Sequence, residues 1–218
     1  MEGLFVTEHQ GDAGAPLVAF VHGTLDRSTA FIKVQRHLRD VSSVRYDRRG
    51  YGRSLELGAA ASMAEQVDDL RSVLHGRRAV VCGHSLGGTI GLALAAQHPE
   101  LVRAVLAFES PMPWNDWWPK DTAGGAAMDG GDEAAAAERF MRRLVGDERW
   151  EALPEPTREQ RRAEGPALLA DLRGVRPPAP PPFELDDVRV PVLAAHCSES
   201  GPHHQETAKR IALGAPVA

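Results

Sequence analysis

Gly83-His84-Ser85-Leu86-Gly87 is the segment whose residue types and spacing best suit covalent chemistry. An apolar run, Ala79 to Cys82, precedes it, and a helix-like run, Leu86 to Ala96, follows. A serine on so sharp a strand-to-helix turn sits in strained backbone geometry. The residues two before and two after it must then be nearly free of side chain, which Gly83 and Gly87 satisfy. Ser85 would project from the sheet as a nucleophile, backed by the free N–H groups and partial positive charge of a helix N-terminus. The plain alternative is a glycine-rich turn around an inert serine. A second segment, His22-Gly23-Thr24, closes the apolar run Pro16 to Val21. A serine that attacks an acyl group needs two donors for the developing oxyanion. The backbone N–H groups of Thr24 and Leu86 are the expected pair, with His22 beside the pocket. An ordinary strand-ending turn would use the same residues.

Such a turn needs a buried sheet to hold it. Pro16 to Val21, Ser42 to Tyr46, Ala79 to Cys82, Val102 to Phe108 and Val190 to Ala195 read as strands. Helical spacing fills the gaps. Phe31, Val34 and Leu38 share one face, and so do Met63, Val67, Leu70 and Leu74. Ser62 and Glu65 make a helix-start pair, and His75-Gly76 a helix end. A last helix is expected over His203 to Leu213. Strands alternating with helices predict the α/β class: a mainly parallel, doubly wound sheet with helices on both faces. Pro111 to Asp187 breaks that rhythm. It predicts helices over Asp132–Val145, Arg158–Glu164 and Ala167–Leu172, then the run Pro177-Pro178-Ala179-Pro180-Pro181-Pro182, which suits only an extended linker. The expected organisation is a core of residues 1–110 and 188–218 with a helical insertion at 111–187.

Composition sets limits on partners. The formal net charge of −5 argues against binding nucleic acid or an anionic membrane surface by charge. No apolar run approaches a membrane span, and Met1-Glu2-Gly3-Leu4 has no signal-like pattern, so a cytoplasmic location is expected. Cys82 and Cys197 should end strands two apart in the sheet. That separation is about 9.6 Å, too far for a disulfide, so free thiols are expected.

His22-Gly23, then Tyr46-Asp47-Arg48-Arg49-Gly50-Tyr51-Gly52-Arg53-Ser54, then Gly83-His84-Ser85-Leu86-Gly87-Gly88 together resemble the α/β-hydrolase fold superfamily. The resemblance covers most of the chain outside the insertion. It implies a helical cap over the active site, in the place of the insertion, and a cofactor-free, metal-free Ser–His–acid mechanism. The Asp47–Ser54 loop is then expected to be structural, with charges paired locally. The acid follows one of two strands, which offers Glu109, the favoured choice, or Glu199, with neither of them as the third alternative. The residues from Phe108 to Trp118 resemble members that keep the acid at the first place; those members use an aspartate nucleophile, so their reaction does not transfer.

The resemblance also implies a base histidine in a loop beyond the helix that follows the cap. These residues reach only that helix, which leaves the base unassigned. His203 and His204 are the substitutes at hand, although adjacent histidines on a helix should point apart and offer no metal site. The cap would bring Trp114, Trp117, Trp118, Phe140 and Trp150 to an apolar pocket suited to a small apolar or aromatic ester, unless these rings form only the cap's own core. Two functions from different classes follow. One is a serine hydrolase of small esters or related acyl compounds; the other is a catalytically impaired relative that binds a ligand or a partner. Without a further strand, Val190 to Ala195 would be an apolar edge, open to homodimer pairing or covered by the C-terminal residues.

Overall fold

The computed structural model describes residues 3–214. Six strands form one sheet: β1 (Val6–His9), β2 (Leu17–Val21), β3 (Ser42–Tyr46), β4 (Ala79–His84), β5 (Val102–Phe108) and β6 (Val192–Ala195). Their order is β1-β3-β2-β4-β5-β6, with β1 antiparallel to β3 and every other pairing parallel. The five strands expected from the sequence are all present. β1 was not expected, because Val-Thr-Glu-His is short, polar and half-exposed, and only its ladder to β3 makes it a strand.

Helices surround the sheet. α1 (Ile32–His37) follows a 3₁₀ turn over Ser28–Phe31, so the helix expected from Thr29 onward is split. α2 (Met63–Leu74) starts where Ser62 Oγ accepts the Glu65 N–H, and it stops at His75, whose φ of 50° lies in the left-handed region. α3 (Leu86–Gln97) is buried nearly all round, its Ile90, Leu92 and Leu94 sealed between helix and sheet. α9 (Pro202–Gly214) packs on β6 and carries Ile211 into the same core.

Between β5 and β6 lie α4 (Ala123–Met128), α5 (Glu133–Val145), α6 (Asp147–Glu151), α7 (Glu155–Ala163) and α8 (Gly165–Gly174). Asp132 caps α5 by accepting the Ala135 N–H at 2.7 Å. α4 and α6 had no clear signal: the first is glycine-rich, and each is little more than one turn. These helices have an apolar cluster of their own, centred on Trp150, Leu168, Ala136 and Ala137, which also takes in Leu25 and Tyr51 from the sheet's loops. The proline-rich stretch after α8 forms neither helix nor strand.

β6 is an edge strand of the described sheet, and its Leu193 is 63% exposed. The expectation that the C-terminal residues cover this edge falls on 215–218, outside the described residues, as do Met1 and Glu2. Among the described residues, no helix is long and apolar enough to cross a membrane. Both cysteines are free thiols, Cys82 half-buried and Cys197 exposed.

Candidate active site

β4 ends at His84 and α3 starts at Leu86, so a single residue, Ser85, turns the chain. It does so at φ 52° and ψ −127°, a conformation that costs a non-glycine residue roughly 1–3 kcal/mol. The flanking glycines are required by contact. A Cβ on Gly83 would lie 2.4 Å from the Gly87 backbone, and one on Gly87 would lie 2.1 Å from the Val21 carbonyl oxygen. The turn is thus pressed against the end of β2, where a Cβ on Gly23 would come within 2.9 Å of Ser85 Cβ. The Ser85 N–H donates to the Phe108 carbonyl at 2.8 Å, which ties the turn to β5. The Leu86 N–H, first in its helix, has no partner within that helix.

Ser85, Leu86 and Thr24 line one cavity of about 1190 Å³. Its far wall comes from α4, α5, α8 and the segment that follows α8. Glu109 and Glu199 both reach the cavity, but their surroundings differ. Glu109 follows β5 at φ 52°, its N–H donating to the Ala195 carbonyl at 2.8 Å. Its carboxylate accepts the Ser200 hydroxyl and the Cys197 N–H. Burial pushes the Glu109 carboxyl up, but these bonds, with His204 and His84 nearby, outweigh it and hold its pKa below the usual 4.5. Glu199 is exposed, and among the described residues its carboxylate meets only the Ser198 hydroxyl, at 3.4 Å. His84 stands 3.9 Å from both Asp26 and Glu109 and lies against Phe108, so it faces carboxylates as well as neighbouring packing.

His203 and His204, in the first turn of α9, also line the cavity. Their rings do not point apart: the centroids are 4.4 Å from each other, and both rings meet Trp118 edge-on. Burial, then the neighbouring His203, lowers the His204 pKa to about 4, so this imidazole is neutral at pH 7. Its Nδ1 is buried without a hydrogen-bond partner. No group of three or more His, Cys, Asp or Glu side chains is placed to hold a metal among the described residues.

Three expected pocket residues lie elsewhere. His22 is completely buried and does not reach the cavity. The Arg48 N–H donates to its Nε2 at 2.8 Å, so Nδ1 carries the proton and donates to the Gly23 carbonyl at 2.7 Å. The imidazole braces the Gly23–Thr24 turn from behind. Trp114 turns away to pack edge-on against Phe183, 5.4 Å between centroids, while Trp117, Trp118 and Phe140 do line the cavity. Trp150 is fully buried in the core of the inserted helices.

The structure also brings in residues that spacing alone did not single out. Asp171 on α8 lines the cavity with its side chain almost wholly buried. It accepts from both Arg48 Nη atoms, from Tyr51 at 2.6 Å, and from Thr24 and Gln66 at 3.1 Å. Glu164, at the start of α8, accepts from Arg27 and from the Gly52 N–H. The Arg48 charge therefore pairs across 123 residues of sequence, not within its own loop. Asp47 does bond within the loop, accepting the Arg53 N–H, and it also accepts the Ser28 N–H from outside it. An aspartate among Leu168, Leu169 and Leu172 on the buried side of a helix was the available sign of Asp171.

Comparison with known proteins agrees with this architecture. The alpha/beta hydrolase fold family is matched over residues 16–154. A curated relative, 2-(acetamidomethylene)succinate hydrolase of Mesorhizobium japonicum, is 32% identical over 99 residues, 43% of this chain. The match spans 35% of that relative's length, and matches to several other curated relatives span 41% or less. An alpha/beta hydrolase from Sphaerobacter thermophilus superposes with a TM-score of 0.71 at 21% identity, covering 98% of this chain and 85% of that one. The enol-lactonase of Burkholderia xenovorans gives 0.68 at 22% identity, covering 97% of this chain and 84% of that one. With the match to its family running through β2, the serine turn and β5, the chain belongs to the alpha/beta hydrolase fold family.

Proposed function

We propose that this protein is a cofactor-free serine hydrolase acting on an ester or related acyl compound. The observation that carries the reading is Ser85 itself: a strained serine between β4 and α3 that opens into a cavity shared with Thr24 and Leu86. In this mechanism Ser85 Oγ attacks the acyl carbon, and the carbonyl oxygen becomes an oxyanion. The backbone N–H groups of Leu86 and Thr24 stabilise that charge, a contribution on the order of 3 kcal/mol per donor. Glu109, fixed by Ser200 and Cys197, is the orienting acid, and its bonding favours it over exposed Glu199.

Ser85 needs an imidazole to take its proton. Of the described histidines, His203 and His204 line the cavity with it, and Glu109 acts on both through its charge. A neutral His204 can accept a proton, but at a pKa of about 4 it is a weak base for neutral pH. That value favours the second reading, a member of this fold that binds its ligand without fast turnover.

Intact-mass labelling with a fluorophosphonate, comparing native protein with Ser85→Ala, His203→Gln and His204→Gln, separates the two. Fast single-site labelling lost in Ser85→Ala supports the hydrolase, and its loss in a histidine variant identifies the base. Labelling no faster than in Ser85→Ala supports the ligand-binding reading.

A further inference from the structure

Three arginines line the Ser85 cavity, and their partners differ. Arg143 pairs with Asp121 at 3.3 Å and Arg210 with Glu206 at 2.7 Å. Arg176 has no carboxylate partner among the described residues, and its Nη1 is buried with no hydrogen bond. Its backbone is fixed just after α8, with the N–H donating to Arg173 O at 3.4 Å and the carbonyl accepting the Ala179 N–H at 2.9 Å. The guanidinium lies against α4 at Gly124, where a Cβ would stand 2.6 Å from Nη2, so the absence of a side chain there admits it. Burial lowers its pKa, yet a guanidinium remains charged at any pH the fold meets.

A half-buried charge with one nitrogen sealed from water and no partner is costly, and nothing among the described residues offsets that cost here. Of the acids that line the cavity, Asp171 is engaged with Arg48, Glu109 with Ser200 and Cys197, Asp121 with Arg143 and Glu206 with Arg210, while exposed Glu199 meets the Ser198 hydroxyl. Arg176 is thus the unmatched cation of a cavity whose opposite side presents a nucleophile. A planar guanidinium with free N–H donors is matched best by a carboxylate, which it can bind through two parallel hydrogen bonds.

We propose that Arg176 recognises a carboxylate on the ligand of this cavity, so that the substrate is an acyl compound carrying a free carboxylate, such as a half-ester of a dicarboxylic acid. The substrate half of this statement rests on the hydrolase reading of Ser85; the carboxylate site does not. It differs from the small apolar or aromatic ester expected from the aromatic residues by adding a charged end. Those that do line the cavity, Trp117, Trp118 and Phe140, would hold the carbon chain between the two polar ends.

The test is calorimetric titration of monomethyl glutarate, an anion, against dimethyl glutarate, its neutral counterpart, in the Ser85→Ala protein, where turnover is blocked. The monoester should bind about 10-fold or more tightly than the diester, as expected for one charge-assisted contact. Arg176→Gln should remove that preference, and Arg176→Lys should retain part of it. Equal affinity for the two esters, no binding of either at millimolar concentration, or a preference that survives Arg176→Gln overturns the proposal. A preference in the parent protein stands as a measurement even if Arg176→Gln does not fold, with Arg176→Lys then reporting the residue. Fluorophosphonate labelling of the native protein is scored separately. Preference without labelling keeps the carboxylate site and removes the hydrolase reading; labelling without preference removes only the carboxylate site.

Discussion

Replacing Asp171 by alanine should be among the most damaging single changes in this protein. The aspartate takes five hydrogen bonds, two from Arg48 and one each from Tyr51, Gln66 and Thr24. Arg48 is fully buried. In Asp171→Ala it would keep its bonds to the His22 and Gly23 carbonyls, at 3.1 and 3.2 Å, but lose its one salt-bridge partner among the described residues. Removing one member of a buried pair costs about 3–5 kcal/mol, against a total stability of roughly 5–15 kcal/mol. Asp171 borders the cavity, so water can reach the orphaned donors, and the lower end, about 3 kcal/mol, is expected. For a chain of this size that lowers the melting temperature by roughly 6–12 °C. Equilibrium urea unfolding of Asp171→Leu, Arg48→Met and the double variant carrying both gives the coupling directly, with Asp171→Ala measured alongside. The double variant should recover much of the loss, because an apolar pair of similar volume leaves no buried charge unmatched. A cost below about 1 kcal/mol for Asp171→Ala, or a double variant as unstable as the two singles added, would refute the reasoning. The same aspartate holds the Thr24 hydroxyl, so Ser85 labelling should slow as well.

Gly87→Ala should lose about 3 kcal/mol or more and abolish Ser85 labelling, because the new Cβ would meet the Val21 carbonyl at 2.1 Å and neither is a side chain that can swing aside. Gly14→Ala is the control: its φ of +82° is strained, but nothing lies within 4 Å, and unfolding should show a loss of only about 1–2 kcal/mol. Acid sensitivity should begin near neutrality. Burial, then Arg48, lowers the His22 pKa to about 4, whereas in the unfolded chain it returns to 6.5. The stability this gives is full above pH 6.5 and is lost as pH falls towards 4, at most about 3 kcal/mol, since protonating Nε2 would set two N–H groups against each other. His204 adds to the loss with the same sign. Urea midpoints that stay flat from pH 6.5 to 5, or a slope unchanged in His22→Gln, would contradict this assignment.

Where the decisive physics is local, the sequence carried it. Gly83 and Gly87 around Ser85 prescribe a sharp turn because sterics between near neighbours allow little else, and the structure has that turn. Ser62 and Asp132 cap helices through bonds to residues three further on, so their role is written in a four-residue window. Mostly apolar runs of five to seven residues gave β2 and β5 for the same reason. Tertiary structure alone decided what depends on distant partners. β1 exists because β3 offers it a ladder, and Arg48 meets Asp171 because α8 returns over the Tyr51 loop. Whether a tryptophan borders the cavity or fills a core is likewise set by the helix packed against it: Trp117 lines the cavity, Trp114 meets Phe183, and Trp150 is sealed among the inserted helices. Spacing along the chain fixes backbone conformation over a few residues, but burial belongs to the whole packed molecule, and so the lone guanidinium of Arg176 became visible only there.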